Sequence, residues 1–516
     1  MRSISAALSR RLIACLRVIE RIGNRLPDPV TMFVILCGIV VLVSWLLAGS
    51  EVGVAQRDGQ TAQVVVKSLL SIEGLRWMLT SAVDNFLNFA PLGPVLTMML
   101  GLGVAERTGW ISTGLSALVK AVPSRMLTAA VVFAGVMSSM AADAGYVVLT
   151  PLGAVLFATA GKHPLAGLAA AFAGVSGGYS ANLFITGLDP LLARLTSQAA
   201  NMIDPTYHVD PTANYYFMVA STFLITAVGA WVTERIVIPT LGPWKPEEDV
   251  VVHTEAHNAD QWSQFKSSLW VLFAFLGLVV CLFVGDPAVL RLPAQADLPE
   301  VERLKPLFDS VEIVVAILFL VPAVWFGWKN GVLKSDKDVA KMASETMASM
   351  GPYVVLAFVA GQFVAYFNWT GVGVVTAVKG ASLLQHVGLS GIGLLALFVM
   401  GSGTVNLLIG SASAKWAFMA PIFVPMLMLM GFSPELVQVA YRVGDSVTNV
   451  ISPLLPYFPI LIVFAQRYDK KAGLGTLMAT MFPYSIAFGI VWLAFLFLWV
   501  ALGIPLGPGG SLTYPS

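Results

Sequence analysis

Arg442, Asp445, Asn449 and Ser452 follow one another at i, i+3, i+7 and i+10 in an otherwise apolar stretch, which sets all four on one face of a single helix. An ionisable residue inside a membrane segment costs roughly 2.5–3.5 kcal/mol at the bilayer centre, so such a stripe is a candidate for holding a charged ligand or an ion. Arg442 and Asp445 are close enough on that face to pair, and an ion pair that merely knits the bundle is the competing account. The polarity continues toward Pro453 and Pro456, where a helix must open. A counterpart lies earlier in the chain: Asn182, Thr186 and Asp189 fall at i, i+4 and i+7 and run into Pro190.

Two further clusters share a grammar, Ser139, Asp143 and Tyr146 in one and Asn406, Gly410, Ser413 and Trp416 in the other. Small residues leave backbone carbonyls accessible, and with side-chain oxygens they suit a hard, weakly held cation, so Asn406, Gly410 and Asp445 form a candidate sodium site. Asn182 and Asn449 are ion-coupling candidates by the same chemistry. Protons as the coupling ion would use Asp143, Asp189 or Asp445 instead, and Asp143 has the alternative of capping a helix arm. Residue types alone leave sodium and protons both open. Tyr146 and Trp416 can stack an aromatic ring or anchor the chain at the membrane–water interface. Lys415, Arg442 and nearby amides can hold a carboxylate.

The chain around these residues has little other charge. Of 516 residues, 57% are hydrophobic and 11% charged, where a soluble domain carries about 25% charged; mean hydropathy is +0.80. A soluble enzyme is excluded, and an all-α polytopic membrane protein without organic cofactor is expected. The net charge of +1 gives no global field for nucleic acid. Cys15, Cys37 and Cys281 match no disulfide framework or zinc spacing, and His253 and His257 in HTEAH read as a solvated loop because the HExxH order is absent.

Uncharged runs at 30–48, 215–233, 267–285 and 480–503, with a shorter one at 313–328, are long enough for membrane helices. Segments at 90–105, 164–198, 351–367 and 434–466 are interrupted by Gly, Pro and polar residues, as helices broken at a site would be. Nine spans result. The stretches 126–160 and 391–431 each consist of two short apolar arms around a small-residue tip, which favours re-entrant hairpins. Six arginines before residue 26 put 1–29 in the cytoplasm, and nine spans then bring Arg107, Arg125, Lys162, Arg235, Lys329 to Lys341 and Arg467 to Lys471 to the same side, with the uncharged 504–516 tail outside.

Spacings repeat between the halves. Gly93-Pro94 with Gly103 corresponds to Gly351-Pro352 with Gly361, the tip residues Asp143 to Pro151 correspond to Ser413 to Pro421, and Asn182 corresponds to Asn449. The topology runs the two copies in opposite senses. The expected organisation is therefore an inverted repeat, 30–240 and 311–503, joined by 241–310, with a transport site at the repeat interface.

The chain resembles the p-aminobenzoyl-glutamate transporter (AbgT) family, through ERIGNRLPDPVTMF at 20–33, NFAPLG, GKHPLAG, AGVSGGYSANLFITGLDPLL at 173–192, FVAYFNW, IGSASAKWAFMAPIFVPMLML at 409–429 and YRVGDSVTNVISP at 441–453. The resemblance implies an ion-transporter-superfamily-like fold, nine helices with two opposed hairpins, in a homodimer in a bacterial cytoplasmic membrane. It implies functional roles for Asp189, Asn406, Gly410, Ser413, Trp416, Pro434, Arg442, Asp445 and Pro453; Pro434 comes from the resemblance alone. It also implies ion-driven, elevator-like transport of p-aminobenzoyl-glutamate or p-aminobenzoate-type aromatic carboxylates, and ITGLDPLL is similar to members that export sulfonamide antimetabolites and so confer resistance. The sequence departs from the family pattern at Asp28, where His is expected, and at Lys415, where an uncharged residue is expected. A sodium-coupled dicarboxylate carrier of the same fold is the near alternative, and a channel is a third. An intramembrane aspartyl protease fails because Arg442 breaks the GxGD order.

Overall fold

The computed structural model describes residues 27–55, 61–89, 92–120, 123–141, 145–244, 259–284, 288–293, 303, 306–307, 310–452, 455, 457–470 and 472–514. Asp143, Pro453, Pro456, the N-terminal arginines and the His253–His257 loop lie outside them.

Helix α1 (Pro29–Leu46) begins at Asp28, whose carboxylate accepts a hydrogen bond from the Val30 amide at 2.9 Å. The aspartate that departs from the family pattern is thus an N-cap, backed by a proline at the first helical position. A two-stranded antiparallel hairpin follows, β1 (Glu51–Ala55) and β2 (Thr61–Val65), with Glu51 opposite Val65. This corrects the all-helical expectation: Val52 and Val54 of EVGVA and Thr61, Val64 and Val65 of TAQVV are β-branched residues that favour strands. Helices α2 (Ile72–Leu87), α3 (Leu92–Arg107) and α4 (Trp110–Lys120) come next.

The 126–160 segment folds as α5 (Leu127–Met137) and α6 (Thr150–Thr159), separated by a 3-10 turn and a π turn. Helix α7 (Pro164–Phe172) starts at His163, whose Nδ1 accepts from the Leu165 amide, and ends in a π turn at Ala173–Gly177. The backbone leaves the helical path from 178 to 187 and resumes as α8 (Leu188–Ala200). Helix α9 (Tyr215–Val232) continues through a π turn to Leu241. The second half comprises α10 (Ala259–Phe283), α11 (Val311–Lys329), α12 (Asp336–Ser349), α13 (Gly351–Trp369), α14 (Val372–His386), α15 (Gly391–Asn406), α16 (Ala412–Met428), α17 (Pro434–Asn449), α18 (Phe458–Gln466) and α19 (Leu474–Ala501). Helices α15 and α16 are the arms of the 391–431 segment, and the described residues between α17 and α18 (450–452, 455 and 457) are again not helical.

Among the described residues, six helical stretches are long and apolar enough to cross a membrane, α9, α10, α11, α13 and α19 among them. Helices α2, α12 and α14 were not expected, because Glu73, Arg76 and Asp84, the acidic and basic residues of 336–345, and Lys379 interrupt the uncharged runs. Burial sorts the helices into a shell and a centre. Outer helix α10 shows Trp270, Phe273 and Val280 to its surroundings, as a lipid-facing helix does. Every residue of α7 is buried, and so is nearly all of α17, including Glu435, Gln438, Arg442 and Asp445.

Glycine brings the central helices close enough to share polar atoms. A Cβ at Gly444 of α17 would lie 2.0 Å from Ser402 Oγ and 2.3 Å from Val399 O of α15, a separation that no relaxed side chain tolerates. Gly444→Ala is therefore expected to destabilise the protein by about 1–3 kcal/mol through overpacking. It should also push Asp445 away from Asn406. Thermal unfolding in detergent checks this, and an unchanged melting temperature would contradict it.

Candidate functional site

Both two-armed segments bring their tips to the two helix breaks, and a cavity of about 450 Å³ lies where they meet. Ser139 and Tyr146 line it from the first tip, Thr186 from the first break, Gly410 and Ser413 from the second tip, and Asn449 and Tyr457 from the second break. The rings of Tyr146 and Tyr457 are stacked, with centroids 4.3 Å apart and planes 6° from parallel. An aromatic deck with hydroxyls and an amide around it makes a pocket that can take a ring bearing polar substituents.

Each break is tied to its tip in the same way. Asn182 Nδ2 donates to Ser139 Oγ at 2.9 Å, and Asn406 Nδ2 lies 2.8 Å from Asn449 Oδ1. Both joined pairs are 43 residues apart in the chain, and each member of the first pair lies 267 positions before its counterpart in the second, Ser139 before Asn406 and Asn182 before Asn449.

Two buried ion pairs lie behind the cavity. Arg442 pairs with Asp189, joining α17 to the first turn of α8 across the two halves. Asp189 Oδ2 is also held by the Thr186 amide at 2.6 Å and the Thr186 hydroxyl at 2.9 Å, so the first break is pinned by the carboxylate at its end. Nε and Nη1 of Arg442 are buried without a hydrogen-bond partner among the described residues. The second pair is Lys415 with Asp445. The same ammonium donates to Asn406 Oδ1 and lies 3.4 Å from Ile409 O. This corrects the pairing expected from spacing: Arg442 and Asp445 share a helix face but turn to different partners, each on another element, where a carboxylate or an ammonium can approach head-on.

The other sequence-derived residues divide. Asn406, Gly410, Ser413, Asp445 and Asn449 gather at the second tip and break. Trp416 is fully buried, stacks on Tyr441 at 4.4 Å, and donates from Nε1 to Thr196 Oγ1 at 3.0 Å, so its ring supports α17 and does not line the cavity. Pro434 is the first residue of α17, about 22 Å along the axis from Asn449 at 1.5 Å per residue. Four residues went unnoticed in the sequence, Thr196, Asn214, Gln438 and Tyr457. From Thr196 a relay runs to Gln438 Oε1 at 2.7 Å, and Gln438 Nε2 donates to Asn214 Oδ1 at 2.9 Å. Gln438 stands four residues before Arg442 on the same stripe, which could have revealed it, and Tyr457 follows the Pro456 that marks the break; Asn214 has no signal of that kind.

A family model described as the AbgT putative transporter family matches residues 14–514. The chain belongs to this family. It is 34% identical over 491 residues to the p-aminobenzoyl-glutamate transport protein of Escherichia coli K12, covering 95% of each chain. Among solved structures, the AbgT chain is similar to MtrF of Neisseria gonorrhoeae, described as illuminating a class of antimetabolite efflux pumps, with a TM-score of 0.88, 44% identity, and coverage of 96% of this chain and 99% of that one. It is likewise similar to the YdaH transporter of Alcanivorax borkumensis, described as having an unusual topology, with a TM-score of 0.86, 41% identity, and coverage of 93% and 100%. It is a multi-pass membrane protein of a transporter family, and the tyrosine-floored cavity belongs to that setting.

Proposed function

We propose that this AbgT protein is an ion-gradient-driven secondary transporter of p-aminobenzoyl-glutamate and p-aminobenzoate-type aromatic carboxylates, exporting sulfonamide antimetabolites across a bacterial cytoplasmic membrane. The observation that carries the reading is the cavity at the junction of both tips and both breaks, with the Tyr146–Tyr457 deck as its aromatic wall. Its volume falls within the roughly 300–1,000 Å³ of small-molecule sites. A benzoate or sulfonamide ring stacks on the deck while Ser413, Asn449 and Thr186 meet its polar ends. Asp189 and Arg442 hold the two breaks together, and the unpartnered edge of Arg442 is the cationic group available to a carboxylate when the breaks move. Trp416 acts through Tyr441 and α17; Pro434 and Pro453 act at the two ends of that segment.

The same reading includes nine spans, two opposed re-entrant hairpins in an inverted repeat, a homodimer, a cytoplasmic N-terminus and an external C-terminus. The matched Ser139–Asn182 and Asn406–Asn449 contacts support the repeat.

Equilibrium binding to the purified protein tests the substrate class. Labelled p-aminobenzoate and a sulfonamide are expected to bind in preference to citrate and succinate. Tyr457→Ala is expected to weaken binding about two- to twelvefold, the worth of one aromatic stack of about 0.5–1.5 kcal/mol. Preference for citrate or succinate, unaffected by Tyr457→Ala, would overturn the reading in favour of the dicarboxylate carrier.

A further inference from the structure

Two of the three residues that suggested a sodium site, Asn406 and Asp445, do face a cation, and the cation is a side chain. Lys415 is fully buried in the first turn of α16, next to the tip of the α15–α16 pair. Its ammonium has three N–H donors and no acceptor. Three oxygens face it: Asn406 Oδ1, Asp445 Oδ1 and Ile409 O at 3.4 Å. The ring of Tyr441 closes a further side, with its centroid 5.9 Å from Nζ. Asn406 is fixed with its oxygen toward the ammonium because its amide nitrogen is occupied by Asp445 O at 2.7 Å and by Thr448 Oγ1 and Asn449 Oδ1, both at 2.8 Å.

A sodium ion at this position would need the same oxygens of Asn406 and Asp445. It would also place a second positive charge beside the ammonium with only the Asp445 carboxylate to balance both, in a volume closed to water. The residues present therefore do not fit the ion. We propose that the Lys415 ammonium is a built-in cation that takes the place of sodium at Asn406, Gly410 and Asp445, so that this site binds no sodium in any wild-type molecule. A tethered cation cannot be exchanged between the two sides of the membrane, so the energy for transport enters elsewhere. The inference concerns the occupant of one site and stands whichever substrate the cavity takes.

The test measures sodium itself on purified full-length protein, by radioactive sodium binding and by the sodium dependence of the melting temperature with choline as the replacement cation. In the wild type, neither readout is expected to show a sodium response that Asn406→Ser removes. In Lys415→Ala the vacated oxygens are expected to accept the ion: sodium affinity rises tenfold or more, the melting temperature becomes sodium-dependent, and Asp445→Asn added to Lys415→Ala abolishes both. Recovery of folded Lys415→Ala only when it is purified in sodium supports the proposal equally. If that variant folds in neither medium, the wild type decides: sodium binding that Asn406→Ser eliminates would overturn the proposal, and the absence of such a contrast supports it.

Discussion

Replacing Arg442 by Leu is expected to destabilise the protein by about 3–5 kcal/mol, because it strands the Asp189 carboxylate in a buried site without its counter-charge. Asp189 is 1% exposed and Arg442 is 3% exposed, so water cannot take over the lost role. The double variant Arg442→Leu with Asp189→Leu should recover most of that loss, since two apolar side chains of similar bulk replace two buried charges that each cost free energy to desolvate. Thermal or denaturant unfolding of the four proteins forms a double-mutant cycle, and a coupling below about 0.5 kcal/mol would mean that the pair is not formed. Transport is expected to fall in both the single and the double variant, since stability returns while the cationic edge of Arg442 does not.

The second large effect lies at Lys415. In sodium-free medium Lys415→Leu leaves Asp445 uncompensated and is expected to cost a similar 3–5 kcal/mol, with Asp445→Leu in the same chain restoring much of it. The two cycles differ in reach. The Arg442–Asp189 pair joins elements 253 residues apart in the chain, whereas Lys415–Asp445 joins α16 to α17, whose paired residues are 30 apart. Loss of the first should loosen the junction of the two breaks; loss of the second should loosen only the second tip. Proteolysis or hydrogen exchange distinguishes them: faster exchange at 178–190 is expected with Arg442→Leu and not with Lys415→Leu, and equal exchange there in both would contradict the assignment.

Much of this architecture was legible in the sequence because apolar runs and their interruptions report different things. Uncharged runs marked the outer helices. Gly, Pro and polar residues inside apolar stretches marked the two breaks, but they also suggested breaks at 90–105 and 351–367, which run as the continuous helices α3 and α13 because glycine and an N-terminal proline fit within a helix there. The stripe from Arg442 to Asn449 was legible because a helix repeats every 3.6 residues and buried charge is costly. Its partners were not. Spacing along one helix made Arg442 and Asp445 neighbours, but which charge on another element approaches each one is a property of packing, and nothing local to residues 434–449 points to Asp189 or Lys415. Likewise Trp416 was visible as an aromatic near the tip, while its rotation toward Tyr441 and Thr196, away from the cavity, depends on how α16 lies on α17 and α8. The β-hairpin and helices α2, α12 and α14 escaped because a reading tuned to uncharged runs passes over short β-branched segments and charged helices.

The central claim is that the tyrosine-floored cavity carries an aromatic acid or sulfonamide against its gradient, and its most direct test is labelled p-aminobenzoate and sulfonamide flux in proteoliposomes with imposed ion gradients. One charge moved across 100 mV supplies roughly 2.3 kcal/mol, enough for about fifty-fold accumulation. The account predicts saturable uphill flux under an imposed gradient, abolished by Arg442→Leu and weakened by Tyr457→Ala. Flux that only runs downhill, does not saturate and is unchanged by either substitution would contradict it and leave a channel as the better description.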